Sequence, residues 1–349
     1  MTRRILTTLI AAAFAVPSVA EPTQPADSLR IKGKVKVREA WSARYQDSRY
    51  GPEVTEPFSK AVKVGRTGAL DLSNVAGDIV VTGGSGDEIR IEAIKRARSR
   101  SGEDAQQLLN ELRIDVIETG GRVEVRTQYP RNRRNYSGSV DYTITMPSGG
   151  SAMLRSVSGD VRVTNVKGEL RAESVSGNMV TSGATRLSLV KTVSGDIEVT
   201  DASADGEVTV ATVSGDLTAR GLKARAVDLS SVSGDVLLTS VTTERAMVKT
   251  VSGGVEYSGP LTRNGRYEMT AHSGTIRLAV SETSGFELEA TTFNGDVRSD
   301  FPLTLRGGMD DQDGNRRTRL NRSIRGSYGD ASAIVTLKSF SGDIVITKR

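Results

Sequence analysis

Apolar and polar residues alternate along most of this chain. Between residues 157 and 175 the apolar positions include Val161, Val163, Leu170 and Ala172, and charged or hydroxyl side chains stand between them. A period of two is typical of a β-strand that buries one face. The pattern therefore predicts many short strands, and it leaves little room for helices between residues 150 and 300.

A short phrase built on Ser-Gly-Asp separates these strands at regular intervals. Its successive glycines are 18 to 21 residues apart, and they are Gly159, Gly177, Gly195, Gly215, Gly234, Gly253, Gly274 and Gly295. A period in this range is typical of a solenoid, in which each repeat forms one rung. We predict an all-β fold: a right-handed parallel β-solenoid, or β-helix, of about 18–21-residue rungs, with one short N-terminal helix.

The Ser-Gly-Asp phrase itself is predicted to be a turn between the two strands of a rung. Glycine takes positive φ angles without steric cost, and Asp or Asn can bond nearby backbone amides. The phrase closes near the end of the chain as Ser341-Gly342-Asp343.

The rest of the chain predicts four regions. Residues 1–20 have an arginine pair, an apolar run and a small-residue cleavage site, which indicates a secretory signal peptide cut after Ala20. A membrane anchor is the alternative, but the apolar run is short for a span. Residues 21–57 are interpreted as an irregular extension, 58–150 as the first rungs with elaborations, and 151–349 as the regular solenoid with an irregular insertion near 303–328.

The elaboration within 58–150 contains the single predicted helix, at residues 103–112. Ser101 and Asp104 have the spacing of a capping box, and leucines follow at helical spacing. A hairpin over 113–118 and 122–128 is predicted next, around Gly120-Gly121. We expect the helix to cover an exposed end or side of the stack, because open strand edges invite aggregation.

Composition narrows the class of protein. The chain has no cysteine, which excludes disulfides, thiol chemistry and a cysteine-linked lipid anchor. Without residues 1–20 it carries 45 basic and 42 acidic residues, so the net charge is +3. That balance and the predicted export argue against nucleic acid as a partner. We expect an exported protein without a transmembrane segment after cleavage, in the periplasm, with the cell surface or secretion as alternatives.

If rungs lie in register, the aspartates of the turns form a column. Asp160, Asp196, Asp216 and Asp235 would follow each other at steps of about 4.8 Å. Two interpretations stay open: the carboxylates satisfy backbone amides, or they hold calcium, which prefers oxygen ligands. Asn178 interrupts the column, and the repeat differs from that of calcium-binding β-rolls.

Three arginine-rich segments are the candidates for ligand binding. We expect their guanidinium groups to bind an anionic polymer, a glycan or an envelope protein, and the alternative is a solvated charged face. The candidate residues are Arg96, Arg98, Arg100, Arg131, Arg133, Arg134, Arg316, Arg317 and Arg319.

Nothing in the sequence predicts a catalytic residue, a cofactor or a metal centre beyond the calcium alternative. His272 is the single histidine and replaces the valine of the repeat, so an inward orientation is expected. A glycan-active enzyme would need clustered acids and aromatic residues along a groove. Only 15 of 349 residues are aromatic, and Trp41 lies outside the repeats.

The repeated Ser-Val-Ser-Gly-Asp phrases, the segment Tyr142 to Pro147 and the closing pattern from Tyr328 to Ile344 resemble one known family. It is the exported bacterial putative-adhesin family of domains of unknown function, and the resemblance covers roughly residues 65–349. It implies a β-solenoid and offers no catalytic residues. We therefore predict a non-catalytic envelope protein that is an adhesin-like scaffold or binding surface. The alternatives are a sensor in envelope-stress regulation and a glycan-active β-helix enzyme.

Overall fold

The structure is a computed structural model that describes residues 51–130, 137–305 and 322–349. These residues form one short helix and two long sheets that face each other across a single hydrophobic core. Each regular rung contributes one strand to each sheet, and the two strands are joined at the Ser-Gly-Asp corner.

The helix and the first half of the strands have the following bounds: β1 (Glu53–Lys63), β2 (Ala69–Ser73), β3 (Ile79–Gly84), β4 (Glu88–Arg98), α1 (Gly102–Glu111), β5 (Arg113–Thr119), β6 (Arg122–Gln128), β7 (Ser137–Pro147), β8 (Ser151–Arg155), β9 (Val161–Thr164), β10 (Glu169–Glu173), β11 (Met179–Ser182), β12 (Arg186–Lys191) and β13 (Ile197–Thr200). The others are β14 (Glu207–Ala211), β15 (Leu217–Arg220), β16 (Ala226–Ser233), β17 (Val236–Thr239), β18 (Arg245–Ser252), β19 (Val255–Ser258), β20 (Arg266–Ser273), β21 (Ile276–Val280), β22 (Phe286–Asn294), β23 (Val297–Ser299), β24 (Thr304–Leu305), β25 (Ser323–Tyr328), β26 (Ala333–Ser341) and β27 (Ile344–Lys348).

The regular rungs stack as parallel strands in register, with one shift in the pairing of β10 with β12, between Leu170 and Arg171. Met179 pairs with Val161 on one side and with Ile197 on the other, and all three side chains are buried. Burial alternates along strands such as β9 and β13, as the sequence predicted, so valine, leucine, isoleucine and alanine fill the space between the sheets. The predicted all-β fold with long parallel sheets is confirmed, and the right-handed sense stays a prediction.

The second turn of each rung uses residues that tolerate a left-handed backbone. Asn165, Gly183, Asp201, Gly221 and Ser240 follow β9, β11, β13, β15 and β17, and all have φ between 50° and 67°. Glycine, asparagine and aspartate enter this region most readily.

The rungs do not follow the order of the sequence at either end, which corrects the simple stack that the repeat suggested. Near the N-terminus, β6 pairs with β2 and β7 with β3, both in parallel, on the side towards the N-terminal end of the stack. β8 and β9 pair with β2 and β3 on the side towards the regular rungs. Near the C-terminus, the last rung, β26 and β27, lies between β20 and β21 on one side and β22 and β23 on the other.

Antiparallel strands finish both sheets at the N-terminal end and the second sheet at the C-terminal end, whereas the first sheet ends there in β23, which pairs in parallel with β27. β4 pairs with β7 and β1 pairs with β4 in one sheet, and β5 pairs with β6 in the other. At the opposite end β25 pairs with β22, and β24 pairs with β25. Phe286, Phe301 and Tyr328 form a cluster of edge-on and tilted rings there, with centroids 4.7–5.7 Å apart.

The helix packs on the outermost strands of the N-terminal end. Leu108 and Leu109 bury against Ala97 of β4, and Val54 of β1 covers them partly. Ser101 caps the helix by accepting a hydrogen bond from the Asp104 amide at 3.1 Å. The helix thus lies within one residue of the predicted 103–112 and covers the edge strand β1 and its neighbour β4.

Two predicted boundaries need correction. Residues 53–57, which were assigned to the irregular extension, form the start of β1, where Glu53 pairs with Arg98 and Pro57 with Ile94. Proline is tolerated there because β1 is the edge of its sheet. The segment predicted as irregular near 303–328 contains two strands, β24 and β25, at its two borders, and residues 306–321 lie outside the described residues.

The glycine of the Ser-Gly-Asp corner is required by the closeness of neighbouring rungs. Gly195 has φ +138°, and a Cβ built on it would lie 2.2 Å from the carbonyl oxygen of Gly177. The same close approach recurs at Gly215 and Gly234, at 2.1 and 2.0 Å. A methyl group there must push two rungs apart.

We predict that Gly195→Ala lowers the free energy of unfolding by about 3 kcal/mol, since it adds both backbone strain and a clash. The measurement is the midpoint of urea denaturation followed by circular dichroism. Gly206→Ala is the matched control, because a Cβ there meets no atom within 4 Å. Equal midpoints for the two variants would contradict this account of the corner.

Candidate functional site

The turn aspartates form a ladder of hydrogen bonds from rung to rung. The Asp160 Oδ1 accepts from the Asn178 amide at 2.8 Å, the Asn178 Oδ1 from the Asp196 amide at 2.9 Å, and the Asp196 Oδ1 from the Asp216 amide at 2.8 Å. Asp235 ends this run at the Gly254 amide. Each side chain therefore satisfies an amide of the next rung, where the sequence had suggested an amide of its own turn.

This arrangement bears on the calcium alternative. One oxygen of each carboxylate is already aimed at a backbone donor, and the asparagine at position 178 performs the same role without charge. In the part of the chain that the structure describes, no group of three or more His, Cys, Asp or Glu side chains is arranged to hold a metal ion.

We predict that Asp196→Ala lowers the free energy of unfolding by about 1–2 kcal/mol, because the Asp216 amide loses its acceptor. Asp196→Asn should stay close to the wild type, since Asn178 shows that a carboxamide suffices. The melting temperature in about 2 mM Ca²⁺, which would fill a weak calcium site, compared with that in a chelator, separates the two interpretations. Stabilisation by Ca²⁺ that Asp196→Asn abolishes would favour calcium.

Buried hydroxyl groups form a second column inside the same corner. Thr212, Ser231 and Thr250 donate to the glycine carbonyl of the preceding rung at 3.1–3.2 Å. Ser156 occupies the corresponding position, and its buried hydroxyl has no partner. These hydroxyls donate hydrogen bonds to glycine carbonyl groups that would otherwise be buried at the corner without a donor.

The residue two positions before each corner glycine points outwards, and these residues form a ridge along the solenoid. We call it the valine ridge, and in spatial order it consists of Val75, Val157, Val175, Val193, Val213, Val232, Val251, His272, Phe340 and Phe293. The valines are 41–48% exposed, and Phe340 and Phe293 are 50% and 65% exposed. The sequence carries a signal for this ridge, because these valines break the alternation of buried and exposed positions.

The aromatic end of the valine ridge is a stack of parallel rings. The rings of His272 and Phe340 lie 4.8 Å apart at 7°, and those of Phe340 and Phe293 lie 5.0 Å apart at 5°. His272 is exposed, so the expected inward orientation is wrong. The reason is that its position in the rung follows the buried Ala271, and successive side chains of a strand point to opposite faces.

The arginines of the first basic segment differ in their surroundings. Arg96 binds Asp141 at 2.9 Å, and the Nε of Arg98 donates to Glu53 at 2.9 Å. Arg100 is exposed, and among the described residues no carboxylate lies within ion-pair distance of it. The other candidates, Arg131, Arg133, Arg134, Arg316, Arg317 and Arg319, lie outside the described residues.

Lys95, which sequence reasoning overlooked, has a structural role. It is buried, forms an ion pair with Glu56 at 2.7 Å and donates to the carbonyls of Leu109 and Leu112 at 3.5 and 3.3 Å. These carbonyls belong to the C-terminal end of α1, where a cation is favourable. Lys95 therefore fastens the helix to β4.

The strand register places the end of the first basic segment beside the strand that follows the second in the sequence. Arg98 pairs with Ser137, the first residue of β7, and residues 131–136 immediately precede Ser137 in the chain. We call the group Arg100, Arg131, Arg133 and Arg134 the arginine corner. In the sequence, the third segment falls between β24 and β25.

The outer face of the second sheet carries a shallow depression whose two carboxylates are paired with arginines. Asp71 and Glu169 line it, and they lie 3.5 Å from Arg155 and 2.8 Å from Arg171. A glycosidase would need a carboxyl group set apart as an acid. This depression offers ion pairs instead.

Three groups in the described residues have shifted pKa values, and each has a structural cause. Burial raises the pKa of Tyr142 to about 12, opposed by its hydrogen bond with Thr127. Burial likewise raises the pKa of Tyr257 far above its usual value, with a further contribution from Tyr267. The hydrogen bond from the Ser332 hydroxyl, helped by Arg263, holds the pKa of Asp330 below its usual value. None of these groups lies on the valine ridge.

A family model, Toastrack DUF4097, matches residues 67–347. The chain belongs to the Toastrack DUF4097 family. The match spans every regular rung of the solenoid, so the repeated corner and both sheets are features of a Toastrack domain. A comparison with curated proteins finds no match.

Several solved structures of low sequence identity are similar to this chain over most of their length. One is a putative lipid binding protein from Parabacteroides distasonis, with 12% identity, 84% of this chain and 96% of that chain covered, and a TM-score of 0.45. Another is a putative adhesin from Bacteroides fragilis, with 13% identity, coverage of 83% and 97%, and a TM-score of 0.41. A putative adhesin from Parabacteroides distasonis has 12% identity, coverage of 84% and 97%, and a TM-score of 0.40.

Among residues 51–130, 137–305 and 322–349, α1 is the one helix, and it is too short and too polar to cross a bilayer.

Proposed function

We propose that this protein is an exported, non-catalytic envelope protein that works as an adhesin-like scaffold and binds an anionic partner through the arginine corner. The rigid stack of rungs supplies the scaffold, and its packed core leaves the outer surface for binding. The leader-like residues 1–20 support export, and we place the protein in the periplasm.

The pairing of Arg98 with Ser137 carries the proposal. It sets the exposed Arg100 two residues from a point where the segment with Arg131, Arg133 and Arg134 joins the sheet. Guanidinium groups bind phosphate and carboxylate groups through paired hydrogen bonds, and several of them near each other strengthen the attraction. An anionic glycan or a phosphate-bearing surface polymer has this chemistry.

Arg96 and Arg98 play a supporting part in this proposal. Asp141 and Glu53 neutralise them and tie β4 to β7 and β1. The residues free to meet a ligand are therefore fewer than the sequence suggested. The arginines of segment 316–319 lie far from the arginine corner in the sequence, and we propose that they form a separate contact.

We predict that changing all four residues of the arginine corner to serine weakens binding to envelope polymer by about tenfold or more, because several charge-assisted hydrogen bonds are lost. The measurement is capture of the purified protein by immobilised envelope extract at 50 and at 300 mM salt, where screening should reduce wild-type binding by roughly tenfold.

A second fourfold variant serves as the matched control. Arg162, Arg186, Arg245 and Arg277 are exposed residues of the rungs, and changing them to serine removes the same net charge. If both variants lose binding equally, net charge and not the arginine corner attracts the polymer. If neither loses binding, the proposed site is wrong.

A further inference from the structure

The valine ridge is an apolar surface that neither the core nor the proposed function uses. Its ten positions follow each other at the spacing of parallel strands, so it is about 43 Å long. From their exposed fractions, the ten side chains present on the order of 700 Å² of apolar surface. A stable interface buries about 800 Å² on each partner, so the ridge and its borders match what one interface needs.

The form of the ridge decides what can cover it. The rings of His272, Phe340 and Phe293 lie face to face with one another, so they present their edges outwards. A sugar ring needs an open aromatic face, and the valines offer no hydrogen bonds. A partner with the same step between rungs fits better, because its side chains can meet those of the ridge at every level.

Charged residues border the ridge unequally on its two sides. The border towards the second sheet carries Arg155, Lys191, Lys249 and Lys338, all exposed. The opposite border carries the column of turn aspartates, among them Asp160, Asp196 and Asp343. One side is therefore basic and the other acidic.

We propose that two copies of this chain associate ridge to ridge, with a two-fold axis parallel to the ridge. Rotation about that axis keeps every rung at its own level and places the basic border of one copy over the acidic border of the other. Lys191 then faces Asp196 of the second copy, and Arg155 faces Asp160. An axis perpendicular to the ridge would instead place basic border on basic border.

The exceptions in the two borders agree with this arrangement. Glu173 is the acidic residue on the basic border, and the residue at its level on the other border is Asn178, the asparagine of the aspartate column. Same-level pairing thus sets Glu173 against a neutral carboxamide. Lys249 stands at the level of Gly254, where no charge opposes or supports it.

Cysteine cross-linking tests the arrangement, because the chain has no cysteine of its own. In the proposed dimer each ridge residue faces its own copy, so Val157→Cys, Val213→Cys and Val251→Cys should each form a covalent dimer on mild oxidation, within the short Cα–Cα distance that a disulfide allows. Ile94→Cys, on an exposed residue away from the ridge, should not. Cross-linking at one ridge level alone would indicate antiparallel pairing and overturn the proposal.

Sedimentation equilibrium of the purified protein gives the second measurement. The triple change Val193→Ser, Val213→Ser and Val232→Ser should weaken the dimer by about a hundredfold or more, since apolar area is lost on both copies. The control changes Ile94, Ile117 and Ile334 to serine, at 41–50% exposure but off the ridge, and should leave association unchanged. A monomeric wild type at about 100 μM, with no cross-linking, would overturn the proposal.

One charge change reports the orientation of the two copies. Lys191→Glu should weaken the dimer because it faces Asp196, and adding Asp196→Asn should restore part of the loss while keeping the ladder acceptor. Under antiparallel pairing Lys191→Glu would strengthen association instead. Circular dichroism of each variant shows whether the monomer keeps its fold.

Discussion

The close approach of neighbouring rungs at the Ser-Gly-Asp corner is the constraint on which the rest of the structure depends. The Gly177 amide donates to the Ser194 carbonyl and the Gly195 amide to the Ser214 carbonyl, both at 2.9 Å, so the corner continues the hydrogen-bonded ladder of the strands. Because the ladder continues through the corner, it fixes the register of neighbouring rungs there. Glycine is needed for this, since the carbonyl of the preceding rung occupies the space of a side chain.

The shared register turns the positions at the corner of each rung into columns. Inside, the columns are apolar residues and hydroxyl groups that reach the carbonyl of the rung before. At the corner, each Asp or Asn side chain accepts a hydrogen bond from a backbone amide of the rung after it. Backbone donors therefore stabilise a column of like charges. Outside, the same rule aligns the residues of the valine ridge, which no local interaction requires to be apolar.

The sequence predicted those features that repeat within one rung. Alternation located strands such as β9 and β13, and the spacing of glycines indicated their stacking. The sequence could not predict that the last rung, β26 and β27, lies between two rungs that precede it in the chain. The buried Val335 and Leu337 would suit a place at the end of the stack equally well. Nor could it separate Arg98 from Arg100 as binding candidates, since the partner of Arg98 is Glu53, 45 residues away.

The two ends and the long side of the solenoid are treated differently by the chain. At each end an outer rung is placed before an inner one is completed. Among the described strands, antiparallel pairing covers both sheets at the N-terminal end and the second sheet at the C-terminal end, with ion pairs such as Arg325 with Glu289. The remaining edge is β23, a strand of three residues that pairs in parallel with β27. Covered or short edges are poor templates for head-to-tail growth. The side along the corner carries valine and aromatic side chains over ten levels, so it offers the longer surface for self-association.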